Sequence, residues 1–406
     1  MIDQSIFRWK IFETQIKPRP CGGVCYDGAM EKTINWLENN QPCTARWQSE
    51  ANAAPPKKVL LVDDTLAADA AYRLACEGVG LLWRDDFQNA RQLLQALVRR
   101  LDKAKQKKTD KPLSPTEAFH KHRAAQIHRA RILSLVLIEV DEDYAVNLRR
   151  APDVRLACEQ AYGKATEPLV VSLRELQGLI GAFEWRKKGV FVQALGDTIH
   201  PYYGVFSPVR GEYVDLVARA PLPKNLNLAF DVGVGSGVLS AILAKRGVAN
   251  IIATDQDLRA INCATENLAR MGLLAQVDVQ VADLFPIAAP KAQLIVCNPP
   301  WLPAKANAPI EHAVYDPDSR MLKGFLNGLR AHLAMDGEGW LIMSDLAEHL
   351  GLRTRAQLEM WITDAGLKVL GKLDVAPRHA KAFDQTDALH AARSTEITSL
   401  WRLGVC

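Results

Sequence analysis

The sequence has no long apolar segment, which argues against a membrane protein. Its 406 residues contain no uncharged apolar run of about 18 residues, the length expected of a membrane-spanning helix. The first ten residues include Asp3, Arg8 and Lys10 and so lack the apolar core of a secretory signal peptide. We therefore expect a cytoplasmic protein without a membrane partner, long enough for two domains.

Closely spaced metal-binding cysteines are also scarce. The eight cysteines are scattered, and only Cys21 and Cys25 lie near each other, with three residues between them and no adjacent histidine. That spacing is a poor match to a zinc site. We predict no metal site, and disulfides are not expected in a cytoplasmic chain.

Neither sign of charge strongly predominates, and the small positive excess is unevenly distributed along the chain. The net charge is +4, and residues 1–225 hold 33 Lys and Arg against 27 Asp and Glu, while the remainder holds 17 against 19. Part of the excess lies on one predicted helix, at Lys121, Arg123, Arg129 and Arg131. Such a run is usually a solvated helix face. The alternative is an electrostatic footprint for RNA or another polyanion, which no interleaved aromatic residues support.

The pattern of apolar residues divides the chain near residue 200. Residues 1–200 predict an α-rich, mildly basic domain for substrate recognition, with one short strand at 59–62. Helices are predicted there at 67–101, from 116 to about 138, and at 171–183. Residues 201–406 instead alternate strands with helices, which is typical of a doubly wound α/β fold with a mostly parallel sheet. Its predicted strands are 228–232, 251–254, 277–281, 294–297, 339–343, 367–375 and 396–403, and its predicted helices are 238–245, 258–271, 319–335 and 355–365.

A glycine-rich turn follows the first of these strands. Asp231 ends the strand, and Gly233, Gly235 and Gly237 come directly after it. Glycines allow a sharp turn and a close approach of backbone to ligand, with a helix N-terminus behind it. A dinucleotide-binding turn would need its third glycine at position 238, which is Val238. The turn therefore favours a cofactor other than a nicotinamide dinucleotide.

Acidic residues end the next two strands. Asp255 lies twenty residues beyond Gly235, where a carboxylate can accept hydrogen bonds from both hydroxyls of a ribose. Asp283, followed by Leu284, ends the third strand, where an acid or its neighbouring amide would meet an adenine amino group. Either aspartate alone is a common turn residue. Together with the glycine turn they predict one cofactor site.

The fourth strand runs into Asn298-Pro299-Pro300-Trp301. Proline cannot continue a central strand, so this motif ends the strand at the cofactor edge of the sheet. An amide or exocyclic amine nitrogen is a poor nucleophile because its lone pair is delocalised. The Asn298 side-chain oxygen and the Pro299 carbonyl could accept hydrogen bonds from both of its N–H groups and so orient it. Trp301 would offer a face for a planar acceptor.

In this combination the sequence resembles the class I S-adenosylmethionine-dependent methyltransferases, in their HemK/PrmC-like branch with a methyltransferase small domain. The resemblance covers roughly residues 200–406. It implies a Rossmann-like domain with a seven-stranded, mostly parallel sheet and S-adenosyl-L-methionine as cofactor. It also implies second-tier site residues, Arg210 and Glu212, in a segment that covers the pocket.

Three features depart from that family. Trp301 stands where Tyr or Phe is more usual, and residues 1–200 are far longer than the small helical domain that recognises release factors. The segment 376–395 between the last two strands carries five basic residues, Arg378, His379, Lys381, His390 and Arg393.

We predict an N-methyltransferase that acts on a planar nitrogen of a macromolecule, either a protein glutamine amide or the exocyclic amine of an RNA base. A small-molecule acceptor is an alternative within the same class. An RNA- or ribosome-binding module with a vestigial methyltransferase domain is an alternative from another class. The oligomeric state is left open.

Overall fold

The computed structural model of the chain describes residues 32–104, 113–164, 166–209, 211–306, 309–378 and 380–406. They form two α/β domains, each around its own sheet. Cys21, Cys25, Arg210 and His379, which the sequence analysis singled out, lie outside these residues.

The N-terminal domain is built on a six-stranded sheet flanked by helices. Its strands are β1 (Thr33–Glu38), β2 (Gln41–Gln48), β3 (Lys58–Val62), β4 (Val79–Trp83), β5 (Val136–Val140) and β6 (Leu169–Ser172). Its helices are α1 (Ala68–Cys76), α2 (Phe87–Ala104), α3 (Pro115–Leu133), α4 (Arg155–Tyr162) and α5 (Leu173–Lys188). The strand order is β1-β2-β6-β5-β4-β3, with β3, β4 and β5 parallel to one another and β6 antiparallel to β5.

The predicted α-rich character of this domain is wrong, because only one strand of the sheet, at 59–62, was predicted from sequence. The predicted helix at 67–101 is two helices with β4 between them, and the predicted helix from 116 ends at Leu133. Every residue of β4 is buried, so its apolar run does not alternate in the way that identifies a half-exposed strand. Periodicity alone cannot separate such a short run from a buried turn of helix.

The C-terminal domain begins with a hairpin and continues as alternating strands and helices. Its strands are β7 (Val190–Val192), β8 (Asp197–Ile199), β9 (Leu228–Val232), β10 (Asn250–Asp255), β11 (Val277–Val281), β12 (Ala292–Cys297), β13 (Leu333–Ser344), β14 (Leu367–Val375) and β15 (Thr398–Val405). Its α-helices are α6 (Glu212–Arg219), α7 (Val238–Lys245), α8 (Leu258–Arg270), α9 (Arg320–His332), α10 (Leu346–His349), α11 (Arg355–Asp364) and α12 (His390–Ser394). Short 3₁₀ helices lie at Pro309–Ala313, Pro317–Ser319 and Ala380–Phe383.

The predicted seven-stranded, mostly parallel sheet is confirmed. Its strand order is β11-β10-β9-β12-β13-β15-β14, and only β15 runs antiparallel to its neighbours. Between the last two strands, where no helix was predicted from sequence, the structure has the short helix α12. The chain reverses its direction of travel across the sheet between β9 and β12, so their carboxyl ends flank the crevice where such sheets bind ligands.

Helix α3 and the segment after β12 form one contact between the two domains. Phe119 on α3 is 1% exposed and packs with Leu302 and Leu346 of the C-terminal domain. The Arg123 guanidinium donates to both carboxylate oxygens of Glu311, at 3.2 Å each, and lies over the Tyr315 ring. The N-terminal domain is thus packed directly behind the segment that carries the Asn-Pro-Pro-Trp motif.

A second contact joins the N-terminal domain to helix α8. Arg259 donates to the Glu50 carboxylate at 2.9 Å and to the Ala161 carbonyl at 3.1 Å.

Within the described ranges, no helix is both long and apolar enough to cross a membrane. In the same ranges, no group of three or more His, Cys, Asp or Glu side chains is arranged so that it could hold a metal ion.

Candidate functional site

A cavity of about 220 Å³ opens at the carboxyl ends of β9, β10, β11 and β12. Residues predicted from sequence to bind a cofactor or acceptor form much of its wall: Gly233, Gly235, Asp255, Asp283, Leu284, Asn298 and Pro300. The doubly wound topology therefore brings together side chains that are up to 67 positions apart in sequence (233 to 300). Their approach follows from strand order, since parallel strands end at one edge of the sheet.

The glycine turn has the backbone conformations that its sequence predicts. Gly233, Gly235 and Gly237 have φ values of 80°, 52° and 83°, in the left-handed region that glycine adopts without steric cost. A Cβ at Gly233 would lie 2.7 Å from the Met321 Cε, and one at Gly237 would lie 3.2 Å from the Ala264 Cα. Gly233 and Gly235 border the cavity, whereas Gly237 is needed for close packing of α7 on α8.

The carboxylate of Asp231 lies behind this turn and not in the cavity wall. Its Oδ2 accepts from the Ser240 backbone N–H at 2.9 Å and from the Ser240 hydroxyl at 2.6 Å, at the start of α7. Its Oδ1 is buried without a hydrogen-bond partner. Burial raises the pKa of Asp231 to about 6, against the opposing effect of the two Ser240 hydrogen bonds. Asp231 thus ties the turn to helix α7, and its predicted part in cofactor binding stays a prediction.

Asp255 is the carboxylate that both borders the cavity and shapes it. Its Oδ2 accepts from the Gly235 N–H at 3.1 Å, and its Oδ1 accepts from the Asp257 N–H at 3.0 Å. Burial raises the pKa of Asp255, and these backbone hydrogen bonds oppose that rise. Each oxygen has a further lone pair, so the geometry is compatible with the predicted contact to ribose hydroxyls.

Asp283 and Leu284 form the part of the wall that was predicted to meet adenine. The Asp283 carboxylate is paired with the Arg320 guanidinium at 2.5 Å, and both side chains are more than half exposed. Leu284 has a positive φ of 71°, and its carbonyl accepts a hydrogen bond from the Thr254 hydroxyl. This bond links the end of β10 to the turn after β11.

The Asn-Pro-Pro-Trp motif ends β12 at the cavity. Asn298 and Pro300 border the cavity, while Pro299 is buried. Trp301 is partly buried and packs against the hydrophobic clusters on both faces of the sheet. Its indole Nε1–H donates to the Asn298 Oδ1 at 3.0 Å.

Several wall residues were not predicted. Phe206 and Tyr213 cover one side, and their rings lie 6.3 Å apart. His312 and the Arg320–Met321 pair cover another side. Tyr213 could have been inferred from its place beside Glu212. His312 lies in a segment with no predicted element, and Met321 lies at the start of the predicted helix 319–335, where nothing marks it as a wall residue.

Glu212, a second-tier prediction, is buried and faces away from this wall. Its carboxylate accepts from the Arg378 backbone N–H at 2.7 Å. It therefore anchors the covering segment to the region between β14 and β15, and the adjacent Tyr213 reaches the cavity. The other second-tier residue, Arg210, is outside the described residues.

Cationic side chains of the N-terminal domain lie near the 3₁₀ helix that forms part of the cavity wall. Arg174, the second residue of α5, has Arg129 and Glu311 as charged neighbours, and the Glu311 oxygens already accept from Arg123. Desolvation and the like charge of Arg129 lower the pKa of Arg174.

Comparison with known proteins identifies the domain that carries this cavity. Residues 198–355 match the family model described as methyltransferase small domain. A release factor glutamine methyltransferase of Cereibacter sphaeroides is 30% identical over 120 residues, which is 29% of this chain and 43% of that protein. A tRNA1(Val) (adenine(37)-N6)-methyltransferase of Cytophaga hutchinsonii is 24% identical over 164 residues, 37% of this chain and 68% of that protein.

A shorter match is to a ribosomal protein L11 methyltransferase of Symbiobacterium thermophilum, 41% identical over 68 residues, 17% of this chain and 22% of that protein. The chain thus spans less than half the length of the release factor and L11 relatives. The motifs at the strand ends, the order of the seven strands and the family match all indicate a methyltransferase domain. Residues 198–355 of this chain are thus similar to the methyltransferase small domain family and, in part, to a release factor glutamine methyltransferase, and the cofactor of this domain is S-adenosylmethionine.

Proposed function

We propose that the protein is an S-adenosylmethionine-dependent N-methyltransferase whose acceptor is a planar nitrogen of a macromolecule. The acceptor is either the side-chain amide of a protein glutamine or the exocyclic amine of an RNA base. The observation that carries this proposal is the position of Asn298 in the cavity wall at the end of β12, beside the glycine turn and Asp255. A hydrogen-bond acceptor at this place suits an incoming –NH₂ group.

The residues around the cavity fit the cofactor. The turn at Gly233 and Gly235 leaves no Cβ between the backbone and the cavity, and Asp255 offers free lone pairs beside it. When bound, S-adenosylmethionine supplies a methyl group on a sulfonium sulfur, which keeps the C–S bonding electrons as the acceptor nitrogen forms the N–C bond. The proton that the nitrogen then loses can pass to water, so no strong base is required.

Asn298 and Pro299 would act on the acceptor in two ways. Hydrogen bonds from the two N–H groups of the acceptor to the Asn298 Oδ1 and the Pro299 carbonyl would fix the direction of the nitrogen. The same oxygens would stabilise the positive charge that develops on the nitrogen during transfer. A purely nucleic-acid-binding module has no use for such a pair at the cofactor edge, which disfavours a vestigial domain.

Two observations support a macromolecular acceptor over a small molecule. The relatives that share this stretch are named for transfer to a release factor glutamine, to ribosomal protein L11 and to a tRNA adenine. In addition, the N-terminal domain places Arg174 beside the segment that leads to the cavity. A second domain that contacts a segment bordering the cavity has a clear use when the substrate extends beyond the site.

Labelled S-adenosylmethionine tests the proposal. The protein is incubated with the labelled cofactor and a lysate from a strain that lacks its gene. We expect label in the macromolecular fraction, released by protease if the acceptor is glutamine and by RNase if it is a base. Label found only in small molecules would refute the macromolecular acceptor, and no transfer with intact cofactor binding would favour a binding module.

Charge reversal at Arg174 tests the role of the N-terminal domain. Arg174→Glu should raise the apparent KM for the labelled acceptor fraction at least about tenfold, since a charge-assisted hydrogen bond is worth roughly 1.5–3 kcal/mol. Affinity for S-adenosylmethionine, measured by calorimetry, should not change. Arg91→Glu is the matched control, because Arg91 is exposed near the start of α2, at the opposite end of the same sheet. Equal effects of the two variants would show that general charge, not Arg174, matters.

A further inference from the structure

We propose that Trp301 is a positioning residue whose indole N–H holds the side-chain amide of Asn298 so that its oxygen, and not its NH₂ group, serves the acceptor. This inference rests on the proposed function for its catalytic consequence. The geometry on which it depends is independent of the identity of the acceptor.

The hydrogen bond between these two side chains fixes which way the amide points. The indole Nε1 lies 3.0 Å from the Asn298 Oδ1, well within hydrogen-bonding range. An indole N–H can only donate, and the amide NH₂ can only donate as well. A flipped amide would set two donors against each other, so the Trp301 side chain selects a single orientation of Asn298.

The indole is itself held in place. The Trp301 ring packs against hydrophobic clusters on both faces of the seven-stranded sheet, and its backbone carbonyl lies 3.5 Å from the Arg353 Nη1. Arg353 is 3% exposed, so this contact is inside the protein. A rigid donor can impose an orientation on its partner, whereas a mobile one would follow it.

In this arrangement the indole N–H and the acceptor share the side-chain oxygen of Asn298. A carboxamide oxygen accepts two hydrogen bonds, and the indole takes one of them. One acceptor position remains on the Oδ1 for one N–H group of an –NH₂ acceptor, and the proposed function assigns the other N–H group to the Pro299 carbonyl. If the amide were flipped, the acceptor would meet a second NH₂ group and lose this bond.

This role differs from the one predicted from sequence, in which the aromatic residue offers a stacking face. The described wall of the cavity includes Asn298 and Pro300 but not Trp301. Trp301 thus supports Asn298 from behind. Tyr or Phe, which are more usual at the end of this motif, have no ring N–H that could form the same bond.

Hydrogen exchange of the indole N–H tests the bond without any substrate. The chain has nine tryptophans, and the resonance that disappears in Trp301→Phe identifies Trp301 in a spectrum of protein labelled with ¹⁵N at tryptophan. We expect this proton to exchange at least about tenfold faster in Asn298→Ala. Trp340, whose indole donates to the Glu338 carboxylate at 2.9 Å, is the internal reference and should not change. An unchanged exchange rate for Trp301 would overturn the proposal.

A double-substitution cycle tests the consequence for transfer. Trp301→Phe should lower the rate at saturating S-adenosylmethionine about fivefold to tenfold, as expected for loss of one neutral hydrogen bond, with unchanged cofactor affinity. In Asn298→Asp both carboxylate oxygens accept, so no orientation needs to be selected. Trp301→Phe should then change the remaining rate less than about twofold.

The outcomes separate this inference from the proposed function. An equal fall in rate in both backgrounds would show that Trp301 acts by packing alone and would overturn the inference, as would a Trp301→Phe variant with the full rate. If the unmodified protein transfers no label to any lysate fraction, the proposed function fails. The exchange measurement still decides whether Trp301 orients Asn298 in that case. If Trp301→Phe does not fold, Trp301→Tyr identifies the Trp301 resonance instead.

Discussion

Replacing Asn298 by alanine should lower the rate of methyl transfer by about two to three orders of magnitude, while affinity for S-adenosylmethionine stays within about twofold. The substitution removes the oxygen that we assign to the acceptor nitrogen, together with its stabilisation of positive charge as the N–C bond forms. The glycine turn and Asp255 shape the cofactor side of the cavity. In the described part of the chain neither hydrogen-bonds to Asn298, so both should keep their geometry.

The measurement is a comparison of transfer to the labelled lysate fraction with calorimetric binding of S-adenosylmethionine. Asn250→Ala is a matched control, because Asn250 is exposed at the start of β10 and its amide donates to the Asn227 carbonyl at 3.2 Å. It should leave both quantities unchanged. If Asn298→Ala loses cofactor binding instead of transfer, Asn298 belongs to the cofactor site and its assigned role is wrong.

Most elements of the methyltransferase domain could be predicted because its strands and helices alternate with clear boundaries. The predicted strand at 277–281 has the bounds of β11, and the predicted strand at 367–375 has those of β14. Predicted acids and the Asn-Pro-Pro motif stand at strand ends, where parallel topology gathers them. The position of the cavity therefore followed from sequence once the order of the strands was known.

The N-terminal domain could not be predicted in the same way because its strands are short and buried. In β6, Leu169–Ser172, every residue is buried, and the helix α5 begins at the very next residue. The helix predicted from sequence extends back over this strand, to residue 171. Propensity and periodicity do not mark such a boundary, which is set by pairing of β6 with β2 and β5.

Spacing also located Asp231 correctly without revealing where its carboxylate points. A strand-end acid before a glycine turn could face the cavity or the helix behind it. Ser240 decides this, because its N–H and hydroxyl both donate to the carboxylate at the start of α7. Nothing in the spacing of the motif distinguishes Ser240 from any other residue on that helix.

Asp231→Asn should stabilise the methyltransferase domain at neutral pH by up to about 3 kcal/mol. Burial raises the pKa of Asp231 to about 6 in the folded protein from the ordinary value of 3.8. Between these values the folded state binds a proton that the unfolded state has released, so stability falls as pH rises through this window. Below about pH 4 the group is neutral in both states and this cost is absent. A difference of about two pKa units corresponds to about 3 kcal/mol.

Thermal unfolding from pH 4 to pH 7.5 measures this effect. Asparagine keeps an oxygen that can accept from Ser240 and carries no charge, so the variant should unfold close to the unmodified protein at pH 4 and several degrees above it at pH 7. Asp278→Asn, at an exposed position on β11, is the control and should show no such divergence. A difference in unfolding temperature that is the same at all pH values would mean that ionisation of Asp231 does not destabilise the folded protein. The predicted divergence would mean that ionisation of Asp231, directly beneath the cofactor turn, destabilises the domain substantially. The same buried carboxylate holds helix α7 and the turn together.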